Sequence, residues 1–142
     1  MTINQIQDQI IEEFSVFEDW MDRYSYLIEL GKDLVPIDDN DKTDDYLIRG
    51  CQSQVWLNAK YDNGNVIFFA DSDAIITKGM ISLLIRVFSG QTIKEIIDSE
   101  LYFVKEIGLD QHLSPTRANG LLSMIKQMKM YALAYSAKEN IK

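Results

Sequence analysis

Cys51 is the only cysteine in the chain, in the run Arg49-Gly50-Cys51-Gln52-Ser53-Gln54-Val55-Trp56 at the mouth of the strongest strand pattern. A single thiol closes no intrachain disulfide, and one cysteine with one histidine makes a poor metal site. The residue is therefore a small buried hydrophobe or a nucleophile. Gly50 opens backbone angles closed to other residues, which suits a tight turn. Arg49, Gln52, Ser53 and Gln54 are polar, whereas a core cysteine usually has apolar neighbours on at least one face. Arg49 also puts a cation beside the thiol in sequence, and a nearby cation favours the thiolate. On the residues alone, both readings stand.

Other polar groups invite chemistry and have plainer explanations. Asp71 and Asp73 could pair for acid-base work, but capping a helix that begins near Ala74 accounts for Asp71, Ser72 or Asp73 more simply. Arg117 falls in the first turn of the last predicted helix, where a cation opposes the helix dipole. That placement suggests pairing with an acid or docking a partner; the alternative is an ordinary surface arginine. His112 is either functional or a hydrogen-bonding residue ahead of Ser114-Pro115. The acidic run from Asp38 to Asp45 lacks the spaced oxygens, central Gly and terminal Glu of an EF-hand loop, so calcium is rejected and a solvated polar loop is expected.

These residues need elements to hold them. Ile3, Ile6, Ile10, Ile11 and Phe14 recur at helical spacing behind a cap at Thr2 or Asn4. A second helix is predicted from Phe17 to about Leu34, with Trp20, Tyr24, Leu27, Ile28 and Leu30 on one side and Gly31 as its C-terminal stop. Pro36 to Asp45 reads as loop. Tyr46-Leu47-Ile48 reads as a short strand entering the cysteine turn, Gln54 to Tyr61 alternates as a half-buried strand with Trp56 in the core, and Asp62-Asn63-Gly64 turns the chain into a strand at Asn65 to Ala70. The expected result is an α+β fold, with a three-stranded antiparallel sheet packed against N- and C-terminal helices and Cys51 in a turn between strands.

A wide apolar face predicts a helix from Ala74 to Phe88, in which Gly79 should admit a close neighbouring backbone. Thr92 and Glu95 form a capping box for a short helix to about Asp98. Leu101 to Gly108 gives another turn or two. Ser114 and Pro115 open a long last helix, whose Leu121, Leu122, Met124, Ile125, Met128, Leu133 and Tyr135 should be buried and whose tail should fray beyond Ala137.

At 142 residues, 46% hydrophobic and 25% charged, the chain suits one folded domain spanning residues 1–142. A formal charge of −8 argues against nucleic acid or an anionic membrane surface as partner. The start Met-Thr-Ile-Asn-Gln has no secretory pattern, and no apolar run approaches the roughly 18 residues of a membrane span. With one unpaired cysteine, these features lead us to expect a cytoplasmic protein.

The run from Gly50 to Trp56 resembles the persulfide-cysteine segment of the SufE family. Further similar stretches follow the family order: Ile28-Glu29-Leu30-Gly31 upstream, then Asp71-Ser72-Asp73-Ala74 with Lys78-Gly79, then His112-Leu113-Ser114-Pro115-Thr116-Arg117 with Asn119-Gly120-Leu121. Together they cover about Trp20 to about Ala134. The resemblance implies a SufE/IscU-like fold and a sulfur acceptor that takes persulfide sulfur onto Cys51 from a SufS-type cysteine desulfurase, stimulates that enzyme, and delivers sulfur to a SufBCD-like scaffold for iron-sulfur cluster assembly. It implies no pyridoxal phosphate, other cofactor or metal held by this chain.

Within that resemblance Arg49, Gly50, Gln52, Ser53, His112 and Arg117 form the loop and thiol environment. Asp73 and Arg117 are expected to meet the partner, and the site should raise the thiolate fraction modestly. The cysteine loop is expected to fold inward at rest. A CsdE-like acceptor serving another desulfurase is a close variant. A cluster scaffold is disfavoured by ligand count, and a Cys51-His112 hydrolase or a non-catalytic interaction module are the readings from other classes.

Overall fold

The computed structural model describes residues 1–141. Its centre is a hairpin of β1 (Val55–Asp62) and β2 (Asn65–Ser72), paired antiparallel from Val55↔Ser72 to Asp62↔Asn65. Asn63 and Gly64 both have positive φ, 51° and 86°, the two-residue turn whose twist matches that of the strands. Val55, Leu57 and Ala59 of β1 face the core with Val66, Phe68 and Ala70 of β2. The intervening residues face outward, so Trp56 is only half-buried, with the Lys42 ammonium 5.9 Å from its ring centroid, and is not the core residue expected.

The sheet has three strands, but the third is not Tyr46–Ile48. It is β3 (Gln91–Thr92), paired with the start of β2 in the order β1-β2-β3. Residues Asp44–Tyr46 coil into a 3-10 turn, closed by Leu47 N–H on Asp44 O at 3.3 Å, which leaves a single bridge, Leu47↔Trp56, and the Ile48 N–H on Val55 O at 2.8 Å. The polar stretch before it also contains a 3-10 turn, Asp39–Asp41.

Helices α1 (Ile3–Ser15), α2 (Trp20–Lys32) and α3 (Ile75–Phe88) pack together on the core side. Thr2 and Gln5 close a capping box on α1, and Asp19 caps α2, which therefore starts three residues later than its apolar pattern suggested. Gly31 lies inside α2 and does not end it. A Cβ there would sit 2.8 Å from Gly79 N, and a Cβ on Gly79 would sit 2.3 Å from Leu27 O. Both glycines let two helix backbones touch, as expected for Gly79. Arg86 of α3 pairs with Glu13 of α1, and burial together with the bond donated to Glu13 pushes the Tyr26 hydroxyl up to about 12.

The short helices α4 (Ile93–Asp98), α5 (Phe103–Glu106) and α6 (Leu109–His112) lead to α7 (Pro115–Ile141). Thr92 Oγ1 accepts from Glu95 N–H at 3.2 Å, the N-cap half of the expected capping box, and Ser114 Oγ accepts from Arg117 N–H at 3.3 Å as expected. Helix α7 lies along β1: Tyr131 and Tyr135 donate to Leu57 O and Ala59 O at 2.8 and 2.9 Å. Tyr61 stacks on Tyr135 and bonds Glu139, which explains why the helix continues past Ala137. Leu121, Met124 and Met128 are buried, but Leu122 and Leu133 are 64% and 52% exposed, since they lie on the outer side of α7.

The α2-α3 crossing gives the first test. Gly79→Ala must displace backbone rather than a side chain, so it is expected to cost about 2–3 kcal/mol, read as a lower urea midpoint with an unchanged m-value.

Candidate functional site: the Cys51 turn

Between the Leu47 bridge and β1 the chain makes a turn over α7. Gly50 has φ +91°, and a Cβ on it would lie 2.7 Å from Ser123 Oγ of α7. The positive φ calls for glycine, while the close contact is with a serine hydroxyl that can rotate away. The next residue, Cys51, is half-buried, and its S–H points to Gly120 O of α7 at 3.6 Å. A Cβ on Gly120 would meet Sγ at 3.6 Å, so the thiol rests where a larger side chain would stand.

The far stem of the turn is held more firmly. Ser53 Oγ bonds Thr77 Oγ1 at 3.0 Å. Gln54 N–H donates to Asp73 Oδ1 at 3.0 Å, while Gln54 O accepts from Ser72 Oγ at 2.8 Å and Asp73 N–H at 3.3 Å. The Asp71-Ser72-Asp73 run thus serves mainly this turn. The N-cap of α3 is Ala74, without a side-chain cap; only Ser72 Oγ reaches back to accept from Ala74 N–H, at 3.3 Å. Asp71 instead is buried and ion-paired with Lys42 and Lys78.

Cys51 opens onto a cavity of about 200 Å³ whose other lining residues are Gln52, Ser53, Ala74, Thr77, Met80, Thr116, Arg117, Gly120 and Met124. Arg117 therefore shares a pocket with the thiol. His112 and Arg49 do not line it. The His112 ring stacks on Trp20, centroids 4.2 Å apart and 17° from parallel, and its carbonyl accepts from Tyr24 Oη at 3.1 Å. Arg49 is exposed. Burial pushes the Cys51 thiol up from its ordinary value, so in this arrangement it is held protonated, against the expectation of a raised thiolate fraction. Among the described residues no group of three or more His, Cys, Asp or Glu is placed to hold a metal ion.

Gly120, Ser123, Thr77, Met80 and Met124 were not singled out from sequence as part of the site. For two of them a signal existed: Gly120 and Ser123 lie three apart on one helix face, the small-residue pattern of a surface approached by another backbone. For the methionines there was none, because they share the apolar periodicity of the core.

The chain is thus an α+β domain with one thiol on a turn, seated against a helix beside a pocket lined by one arginine. The domain description SufE: Fe-S metabolism associated domain matches residues 8–132, and the chain belongs to the SufE family. It is 42% identical over 131 residues to a SufE-like protein of Rhizobium meliloti (strain 1021), covering 88% of this chain and 93% of that one. A SufE-like protein of Rhizobium etli is 38% identical over 135 residues, covering 92% and 91%. SufE-like protein 1, chloroplastic/mitochondrial, of Arabidopsis thaliana is 40% identical over 131 residues, covering 92% of this chain and 35% of its own length. In fold, the chain matches the solution structure of a hypothetical protein from Thermus thermophilus with a TM-score of 0.75 at 18% identity, covering 91% and 94%. The family is associated with iron-sulfur metabolism, and no described helix is long and apolar enough to cross a membrane.

The seat makes the thiol's reactivity testable by itself. Alkylation by iodoacetamide at neutral pH should be slower than for free cysteine, and its rate should inflect above the ordinary thiol value of 9.0, because burial favours the neutral form. Gly120→Val places methyl groups in the seat, so the variant should alkylate severalfold faster, with the inflection moved back towards that ordinary value.

Proposed function

We propose that this protein is a cytoplasmic sulfur acceptor, taking persulfide sulfur onto Cys51 from a SufS-type cysteine desulfurase, stimulating that enzyme, and delivering sulfur to a SufBCD-like scaffold. The observation that carries the reading is the asymmetry of the turn. Its Ser53-Gln54 stem is fixed by hydrogen bonds, whereas Gly50 and Cys51 are held to α7 by packing and one weak S–H···O bond. A thiol held in this way is neutral while seated and can leave without unfolding its support.

Transfer then follows thiol-disulfide chemistry. Once out of the seat, Cys51 loses its proton to solvent, and its thiolate attacks the terminal sulfur of the donor persulfide. A new S–S bond forms on Cys51 as the donor's S–S bond breaks, and the donor cysteine leaves as a thiolate. No net oxidant is needed, because sulfane sulfur only changes carrier. Arg117, lining the pocket, is placed to pair with the anionic persulfide or with an acidic group of the desulfurase. Asp73, exposed beside the turn, is a second candidate for that contact. Gly50, Gln52 and Ser53 shape the turn, while Arg49, exposed and away from the pocket, is available to the partner and not to the seated thiol. His112 supports the α6-α7 corner through Trp20.

Intact mass after incubation with a cysteine desulfurase and cysteine should rise by about 32 mass units, reversibly by reductant, in wild type and not in Cys51→Ser. Arg117→Ala should retain the modification but acquire it severalfold more slowly. No mass gain with SufS-type enzymes would overturn the reading.

A further inference from the structure

Asp71 is the most deeply buried carboxylate among the described residues, 8% exposed near the end of β2. A charge so placed is costly unless paired. Its partners come from two other segments: Lys42 Nζ at 2.6 Å from the connection before the cysteine turn, and Lys78 Nζ at 3.3 Å from the first turn of α3. The Ser72 N–H adds a third bond at 2.8 Å. Burial works to raise the Asp71 pKa, but the Lys42 hydrogen bond, the Ser72 N–H and the two ammonium charges outweigh it and hold the carboxyl below its usual value.

What these residues adjoin gives the cluster its meaning. Ser72 and Asp73, which bind Gln54 through both its N–H and its carbonyl, directly follow Asp71. Thr77, which bonds Ser53, directly precedes Lys78. Lys42 also lies over Trp56, two residues beyond Gln54. Every side chain that fixes the far stem of the turn is therefore a chain neighbour of Asp71 or of Lys78. The near stem is held instead by backbone, through the Leu47↔Trp56 bridge and the Ile48 N–H on Val55 O at 2.8 Å.

We propose that Lys42, Asp71 and Lys78 form a positioning unit for the Cys51 turn, fixing the stem about which Gly50 and Cys51 leave α7. The unit touches neither the thiol nor the sulfur; it acts through Ser72, Asp73 and Thr77. Its bearing on sulfur transfer rests on the function proposed above, but its effect on thiol access does not.

The test uses the full chain and its single cysteine. Iodoacetamide alkylation of Cys51, followed by intact mass, is compared among wild type, Asp71→Asn, Asp71→Glu, Lys42→Met and Glu13→Gln. Asp71→Asn and Lys42→Met should alkylate about fivefold faster or more, as expected when local opening is eased. Asp71→Glu, which keeps the charge, should restore most of the protection. Glu13→Gln breaks the remote Arg86 pair and should leave the rate unchanged at a comparable loss of stability. If Asp71→Asn does not fold, Lys42→Met decides. Unchanged rates in the folded Asp71→Asn and Lys42→Met variants, or an equal increase in Glu13→Gln, would overturn the proposal. Faster alkylation in variants of a protein that never acquires sulfur from a desulfurase would instead sustain the positioning unit and remove the sulfur-carrier reading.

Discussion

The approach of the cysteine turn to α7 depends on small residues on both faces. Gly50 faces the Ser123 side chain, and the Cys51 thiol faces Gly120. Small residues allow closeness but offer little surface. The opposite choice is made on the other side of the turn, where polar side chains from the β2-α3 corner bind Gln54 at each backbone group. The two attachments differ in kind: side-chain hydrogen bonds on one side of the turn, packing with one S–H···O contact on the other.

Helix α7 connects that local property to the fold. Its first turn contributes Arg117 to the pocket, its second contributes the thiol's seat, and further along Tyr131 and Tyr135 anchor the helix to β1. The seat is therefore as rigid as the junction of helix and sheet.

Most of this architecture was legible in the amino-acid sequence, because it rests on periodicity and punctuation. The hairpin at Asn63-Gly64, the capped starts at Thr2, Thr92 and Ser114, and the contact role of Gly79 all follow local rules. The departures occur where a tertiary neighbour decides. Gly31 looks like a helix stop until α3 is laid against it. Tyr46-Leu47-Ile48 has strand composition, but Tyr46 is taken into a 3-10 turn and the pairing shrinks to one bridge. Asp71 resembles a cap in sequence, and only folding brings Lys42 to it across the hairpin. Within the site, residue type picks out Cys51 and Gly50 but leaves the buried and reactive readings of the thiol both open, and Arg117 joins them only through the family resemblance. His112 was assigned to the thiol's surroundings by resemblance and is turned instead towards Trp20.

The two α7 tyrosines bonded to β1 also limit how any partner can bind. They occupy the Leu57 and Ala59 carbonyls along the open side of an edge strand, the groups through which a visiting chain would add a strand of its own. Backbone-to-backbone zippering is thereby closed off there, and it is the mode of recognition least sensitive to side-chain identity. A partner at this edge is left to distinguish the protein by shape and by the identity of its exposed side chains, a stricter criterion that disfavours adventitious strand pairing as well as mismatched partners.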